Sequence, residues 1–138
     1  MLSVLLDIID LETHLQLESG IARVVDKVSL SMNRGDTLAL VGESGCGKTM
    51  TAYSILRLVP SPPGKIVGGK ILFEGEDIVS ATEKRMREIR GNRISMIFQE
   101  PLTSLNPVFK VGSQIAAAVD AKLVLLNVAK PDKAMEAM

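Results

Sequence analysis

The segment Gly42-Glu43-Ser44-Gly45-Cys46-Gly47-Lys48-Thr49 constrains this chain more than any other feature. Its glycines let the backbone wrap so that successive N–H groups point inward and form a nest for anion oxygens. The short apolar run Thr37-Leu38-Ala39-Leu40-Val41 precedes it and reads as a strand covered on both faces. A helical pattern follows from Lys48 to Val59 and is stopped by Pro60, Pro62 and Pro63. Strand, glycine loop and helix in that order put the nest at a helix N-terminus, whose dipole favours negative charge. Lys48 supplies a cation that reaches β- and γ-phosphates, and the Thr49 hydroxyl can ligate the Mg²⁺ bridging them. A glycine-rich turn before an ordinary helix is the plain alternative, and it leaves the full eight-residue pattern in this setting unexplained. The segment is therefore read as a site for nucleotide phosphates.

Upstream, Ile9, Leu11, Thr13, Leu15 and Leu17 alternate with Asp10, Glu12, His14, Gln16 and Glu18, the period of a half-buried strand. Gly20 permits a turn, and Val28, Leu30 and Met32 continue the alternation toward the turn signal Asn33-Arg34-Gly35-Asp36. Downstream, Lys70 to Phe73 and the turn Glu74-Gly75-Glu76-Asp77 predict another strand edge. Ser80 with Glu83 fits a capping box opening a charged helix that Gly91 can end. Ile94 to Phe98 is the next strand, closed by Gln99-Glu100-Pro101. From Ser113, Ile115, Ala118, Val119, Leu123 and Leu126 recur at helical spacing, which predicts one helix running on toward Pro131. The organisation expected is a mixed α/β nucleotide-binding core over residues 1–99 and the start of a helical part over 100–138.

Composition narrows the classes further. At 138 residues, 46% hydrophobic and 23% charged, the chain has globular proportions and room for one ordinary domain. Sixteen Lys plus Arg balance sixteen Asp plus Glu, so no global field recruits nucleic acid or an acidic membrane. The stretch Glu83 to Arg90 is basic locally but lacks the interleaved aromatics of a stacking surface, and it reads as a solvated helix face. A single cysteine excludes an internal disulfide, and one Cys with one His makes a poor zinc site. Cys46 has no second cysteine to pair with and His14 is remote from it, so neither is read as catalytic; His14 is expected on an exposed polar strand face. The opening residues lack a basic leader, and no long apolar stretch spans a membrane. The expectation is a soluble cytoplasmic domain.

Gly42 to Thr49, followed by Arg93-Ile94-Ser95-Met96-Ile97-Phe98-Gln99-Glu100-Pro101 and Leu102-Thr103-Ser104-Leu105-Asn106-Pro107, resembles the ATP-binding subunits of ABC transporters. Val25 to Leu30 and Ile71 to Gly75 agree in place, and the resemblance extends roughly from Leu5 to Gln114. Within the superfamily it is similar to the oligopeptide, dipeptide and nickel importer branch. The resemblance implies the amino-terminal portion of a P-loop NTPase core with a short helical appendage. It implies ATP and Mg²⁺ as ligands, with Thr49 and Gln99 toward the metal and Gln99 as the hinge glutamine that positions water. It also implies a transmembrane permease met through the loop after Gln99, a second ATP-binding subunit, and a place at the inner face of a membrane.

The sequence departs from that family after Gln99. No Leu-Ser-Gly-Gly-Gln-like signature, acidic catalytic pair or switch histidine appears. Leu123 to Leu126 looks like the apolar strand before the acidic pair, but Asn127 and Val128 stand where acids are needed. The reading preferred here matches Leu125-Leu126-Asn127-Val128 and Pro131-Asp132 to the family's helix before the signature. No aromatic residue of the usual kind for stacking on adenine precedes the loop, which leaves Ile21 or Val24 for an apolar base contact. Whether the chain is an enzyme therefore stays open. One reading is an ATP-binding importer piece with little turnover of its own; the other is a degenerate nucleotide-sensing module. A small P-loop kinase is disfavoured, since no acceptor site or lid arginines are evident. An uncovered strand at Leu38 to Val41 is expected to make the chain poorly soluble.

Overall fold

The computed structural model describes residues 3–98, 106–119 and 123–126. The chain divides into two compact units, Met1–Ala81 and Thr82–Met138. The boundary expected between residues 99 and 100 lies outside the described residues.

The first unit contains β1 (Val4–Leu17), β2 (Gly20–Asn33), α1 (Lys48–Ile55), β3 (Gly64–Phe73) and β4 (Glu76–Asp77). Its strands form one antiparallel sheet in the order β2-β1-β3-β4, and α1 lies against β1 and β2. Leu17 pairs with Gly20, so the first hairpin turns where the glycine predicts. Leu11, Thr13 and Val25 are buried with Ile55 and Leu56, and Met32, Ile71, Phe73 and Ile78 extend this core. The alternation of β1 does not run unbroken from Ile9. Ile8 and Leu11 are both buried while Ile9 is 40% exposed, because the register slips by one residue between Ile8 and Leu11. Asp10 sits at that bulge with φ 45°, and its N–H donates to Ser29 Oγ at 2.8 Å. A bulge resets which side chains face inward, which a strict period of two does not anticipate.

α1 stops earlier than the prolines require. Arg57 takes a left-handed conformation (φ 52°), its N–H bonds Ser54 O at 3.1 Å, and Leu58 N–H bonds Tyr53 O at 2.8 Å. That bond pair terminates a helix by satisfying its last carbonyls. The Arg57 guanidinium donates to Ala81 O at 2.6 Å.

The expected strand at 37–41 is not formed. Residues 36–43 carry no regular structure, and Leu38, Leu40 and Val41 are 49%, 47% and 84% exposed. An apolar strand of this kind is stable only with paired neighbours on both sides, and among the described residues none pairs with it. Such a segment is a template for intermolecular pairing. Leu40→Lys is therefore expected to raise the soluble fraction of the chain roughly twofold after centrifugation. An unchanged fraction would place the aggregation hazard elsewhere.

The second unit contains α2 (Glu83–Ile89), β5 (Ile94–Ile97), α3 (Val111–Val119) and β6 (Leu123–Leu126). Thr82, not Ser80, caps α2, its hydroxyl accepting from Arg85 N–H at 3.2 Å; Ser80 instead donates to Asp77 O. Gly91 follows with φ 77°, where a helix end favours glycine. The single long helix expected from Ser113 is corrected. It ends at Val119, and Leu123 to Leu126 pair in parallel with Ile94 to Ile97. Four consecutive apolar residues satisfy both a helix stripe and a doubly covered strand. The β5 partner, invisible in the local pattern, decides between them.

Candidate phosphate-binding loop

The loop 42–47 leads from the unpaired segment into α1, and two contacts fix its course. Gly47 is the N-cap of α1 at φ 92°, ψ 3°, and a Cβ there would lie 2.2 Å from Val24 O on β2. The loop thus rests directly on the β1–β2 hairpin, and only a residue without a side chain permits that approach. At the other end, a Cβ on Gly42 would lie 2.6 Å from Cys46 Sγ. Cys46 N–H bonds Glu43 O at 3.3 Å and closes the turn between them.

Lys48 crosses the loop. Its Nζ donates to Gly42 O and Glu43 O, each at 2.7 Å, and lies 3.4 Å from Cys46 Sγ. One ammonium therefore holds the first two carbonyls and keeps its charge at the loop. The first turn of α1 has no side-chain cap and no acidic residue. Its leading N–H groups, which have no acceptor within a helix, face the same end as the Lys48 charge. Thr49 is half-buried in that first turn, where its hydroxyl belongs to the same helix end. The donor set is one ammonium, a run of backbone N–H groups and a threonine hydroxyl, which suits phosphate oxygens and a hard cation bridging them.

Of the residues singled out in the sequence, Gly42 to Thr49 come together in this one loop. Gln99 lies outside the described residues, as does Glu100. Cys46 is an exposed free thiol. His14 departs from expectation. Its side chain is 21% exposed and its Nε2 is enclosed without a hydrogen-bond partner, with Glu12 Oε2 at 3.9 Å. Sequence reasoning missed Thr51, whose hydroxyl donates to Gly47 O at 3.0 Å. The signal was a threonine four residues after a loop glycine, the spacing at which Ser and Thr bond back along a helix. It also missed the Val24 carbonyl, which no local pattern marks.

The family model described as ABC transporter matches residues 25–138. A protein of Sinorhizobium fredii described as a probable peptide ABC transporter ATP-binding protein, y4tR, is 48% identical over 132 residues, 96% of this chain and 39% of the relative. The oligopeptide transport ATP-binding protein OppD of Bacillus subtilis is 48% identical over 111 residues, covering 80% of this chain and 31% of that protein. The chain thus spans about two fifths or less of these relatives' length. Among solved structures, the dimeric ATP-binding cassette MJ0796 in a post-hydrolysis state with ADP and Pi superposes with a TM-score of 0.68 at 15% identity. That match covers 95% of this chain and 53% of the cassette. A nucleotide-free ATP-binding cassette from an ABC transporter superposes with a TM-score of 0.54 at 21% identity, covering 82% and 45%. Sequence and backbone agree: this chain belongs to the ABC transporter family and has the fold of its ATP-binding cassettes.

Proposed function

We propose that this chain binds ATP·Mg²⁺ through Gly42 to Thr49, as the nucleotide-binding portion of a peptide importer. The observation that carries this reading is the wound loop itself, with Lys48 Nζ bonded to Gly42 O and Glu43 O at the N-terminus of α1. In this reading Gly42, Glu43, Ser44, Gly45, Cys46 and Gly47 form the backbone nest around the phosphates, with the Cys46 N–H closing its turn onto Glu43 O. Lys48 neutralises charge on their outer oxygens, and Thr49 with Gln99 holds Mg²⁺. The bound metal would bridge phosphate oxygens and draw off charge. The peptide class is supported by the printed descriptions of the relatives at 48% identity. In the complete protein a second ATP-binding subunit and membrane permease subunits are the partners, the latter met through the loop after Gln99 on the cytoplasmic side. Among the described residues, no helix is long and apolar enough to cross a membrane.

Hydrolysis is a separate matter. Transfer of a phosphoryl group to water needs a positioned nucleophile as well as charge neutralisation. The loop supplies the second, whereas Glu43 and Glu100 are not placed by any motif as a base. Equilibrium binding of labelled ATP, run beside a phosphate-release assay, tests both halves. Saturable, Mg²⁺-dependent binding with negligible turnover is expected. Steady turnover lost in Lys48→Ala would overturn the hydrolysis half, and failure to bind ATP at all would overturn the whole reading.

A further inference from the structure

The buried side of α1 is lined with hydroxyls where apolar side chains would ordinarily pack. Thr51 and Ser54 are buried there beside Ile55, and Thr13 of β1 is buried opposite them. Ser54 Oγ donates to Met50 O at 2.7 Å and lies 2.8 Å from Thr13 Oγ1. A serine hydroxyl has one proton. With that proton on Met50 O, Thr13 must be the donor to Ser54, so the chain of bonds runs from β1 into the first turn of α1. Thr51 does the same one step nearer the loop. Gly47 O accepts from Thr51 N–H at 2.8 Å and from Thr51 Oγ1 at 3.0 Å. Back-bonds of this type give a helix no stability and tend to bend it. The Thr51 back-bond acts on Gly47, whereas that of Ser54 ends on Met50 O.

The Gly47–Lys48 peptide is trans, since among the described residues the only cis bonds precede Pro62 and Pro63. In a trans peptide the C=O and N–H point opposite ways. Holding the Gly47 carbonyl down the helix therefore aims the Lys48 N–H up into the loop. We propose that Thr51, on a helix that the Thr13–Ser54 pair ties to β1, is a positioning residue of the loop. Its hydroxyl fixes the Gly47 peptide so that the Lys48 N–H stays directed at a bound phosphate. The inference rests on the reading of residues 42–49 as a phosphate site and adds what holds that site in shape.

The 138-residue chain has one cysteine, inside the loop, so alkylation of Cys46 by iodoacetamide reports occupancy. For each variant the concentration of inorganic tripolyphosphate, and separately of ATP·Mg²⁺, that halves the alkylation rate is compared with that variant's own unprotected rate. Thr51→Val keeps the shape and removes the hydroxyl, and is expected to raise both concentrations about fivefold, the equivalent of one ordinary hydrogen bond. Thr51→Ser should restore wild-type protection. If Thr51→Val protects like wild type, or if Thr51→Ser is as weak as Thr51→Val, the positioning role is wrong. Should Thr51→Val fail to fold in a urea titration, Thr51→Ala set against Thr51→Ser decides by the same comparison. A wild-type chain that neither tripolyphosphate nor ATP protects would instead remove the phosphate-site reading itself.

Discussion

Lys48→Ala is expected to weaken ATP binding about a hundredfold, from the loss of charge-assisted bonds worth about 3 kcal/mol. The size follows from two tasks carried by one ammonium. Its bonds to Gly42 O and Glu43 O at 2.7 Å keep the loop wound, and in the proposed complex its charge would face phosphates that carry several negative charges. Alanine ends both. The folded unit should hardly notice, because Lys48 is half-exposed and Gly42 and Glu43 are open to water, which replaces the lost donor. A urea midpoint close to wild type together with a collapse in labelled-ATP binding is the expected pair of results. Lys48→Arg separates the tasks: it keeps the charge, but a planar fork cannot sit between two carbonyls as a compact ammonium does. An intermediate loss is expected there. If Lys48→Ala bound ATP within about threefold of wild type, the loop would not be holding phosphate through this residue.

What could be read in the sequence was what local chemistry determines. Gly42 to Thr49 needed no distant partner to be recognised, because the glycines, the lysine and the following helix form one continuous stretch, and the structure winds that stretch into one loop. The hairpin at Leu17 and Gly20 and the turn at Asn33 to Asp36 were legible for the same reason. Misread elements depended on residues far away. Leu38 to Val41 has strand composition, yet a strand exists only where something pairs with it. Leu123 to Leu126 fits two periods, and Ile94 to Ile97 selects one. At Asp10 and Arg57 a non-glycine residue takes a left-handed conformation, so the bulge in β1 and the end of α1 carry no glycine signal. Thr51 and Ser54 look like poor helix formers until Gly47 O and Thr13 are seen as their partners.

The contact between Gly47 and β2 gives the other large expectation, and Gly45 supplies its control. Both glycines have positive φ, 92° and 83°. An alanine pays a left-handed penalty of about 1 kcal/mol at either position. Around Gly45 nothing lies within 4 Å of an added Cβ, so Gly45→Ala should cost that penalty and little more. At Gly47 the added Cβ would lie 2.2 Å from Val24 O, which is backbone and cannot rotate aside. Val24 is the extra residue where the register slips between the pairs Thr13 with Val25 and His14 with Arg23, and those flanking pairs limit how far its carbonyl can retreat. The alternative is for the loop to lift, which tilts the first turn of α1 and pulls Gly47 O from Thr51. Either route costs on the order of 3 kcal/mol in total. Gly47→Ala should therefore lower the urea midpoint far more than Gly45→Ala and also lose protection of Cys46 by ATP. Equal midpoints for the two variants would mean that the loop does not rest on Val24. The hairpin would then have no part in holding the phosphate site, and the helix end alone would have to form it.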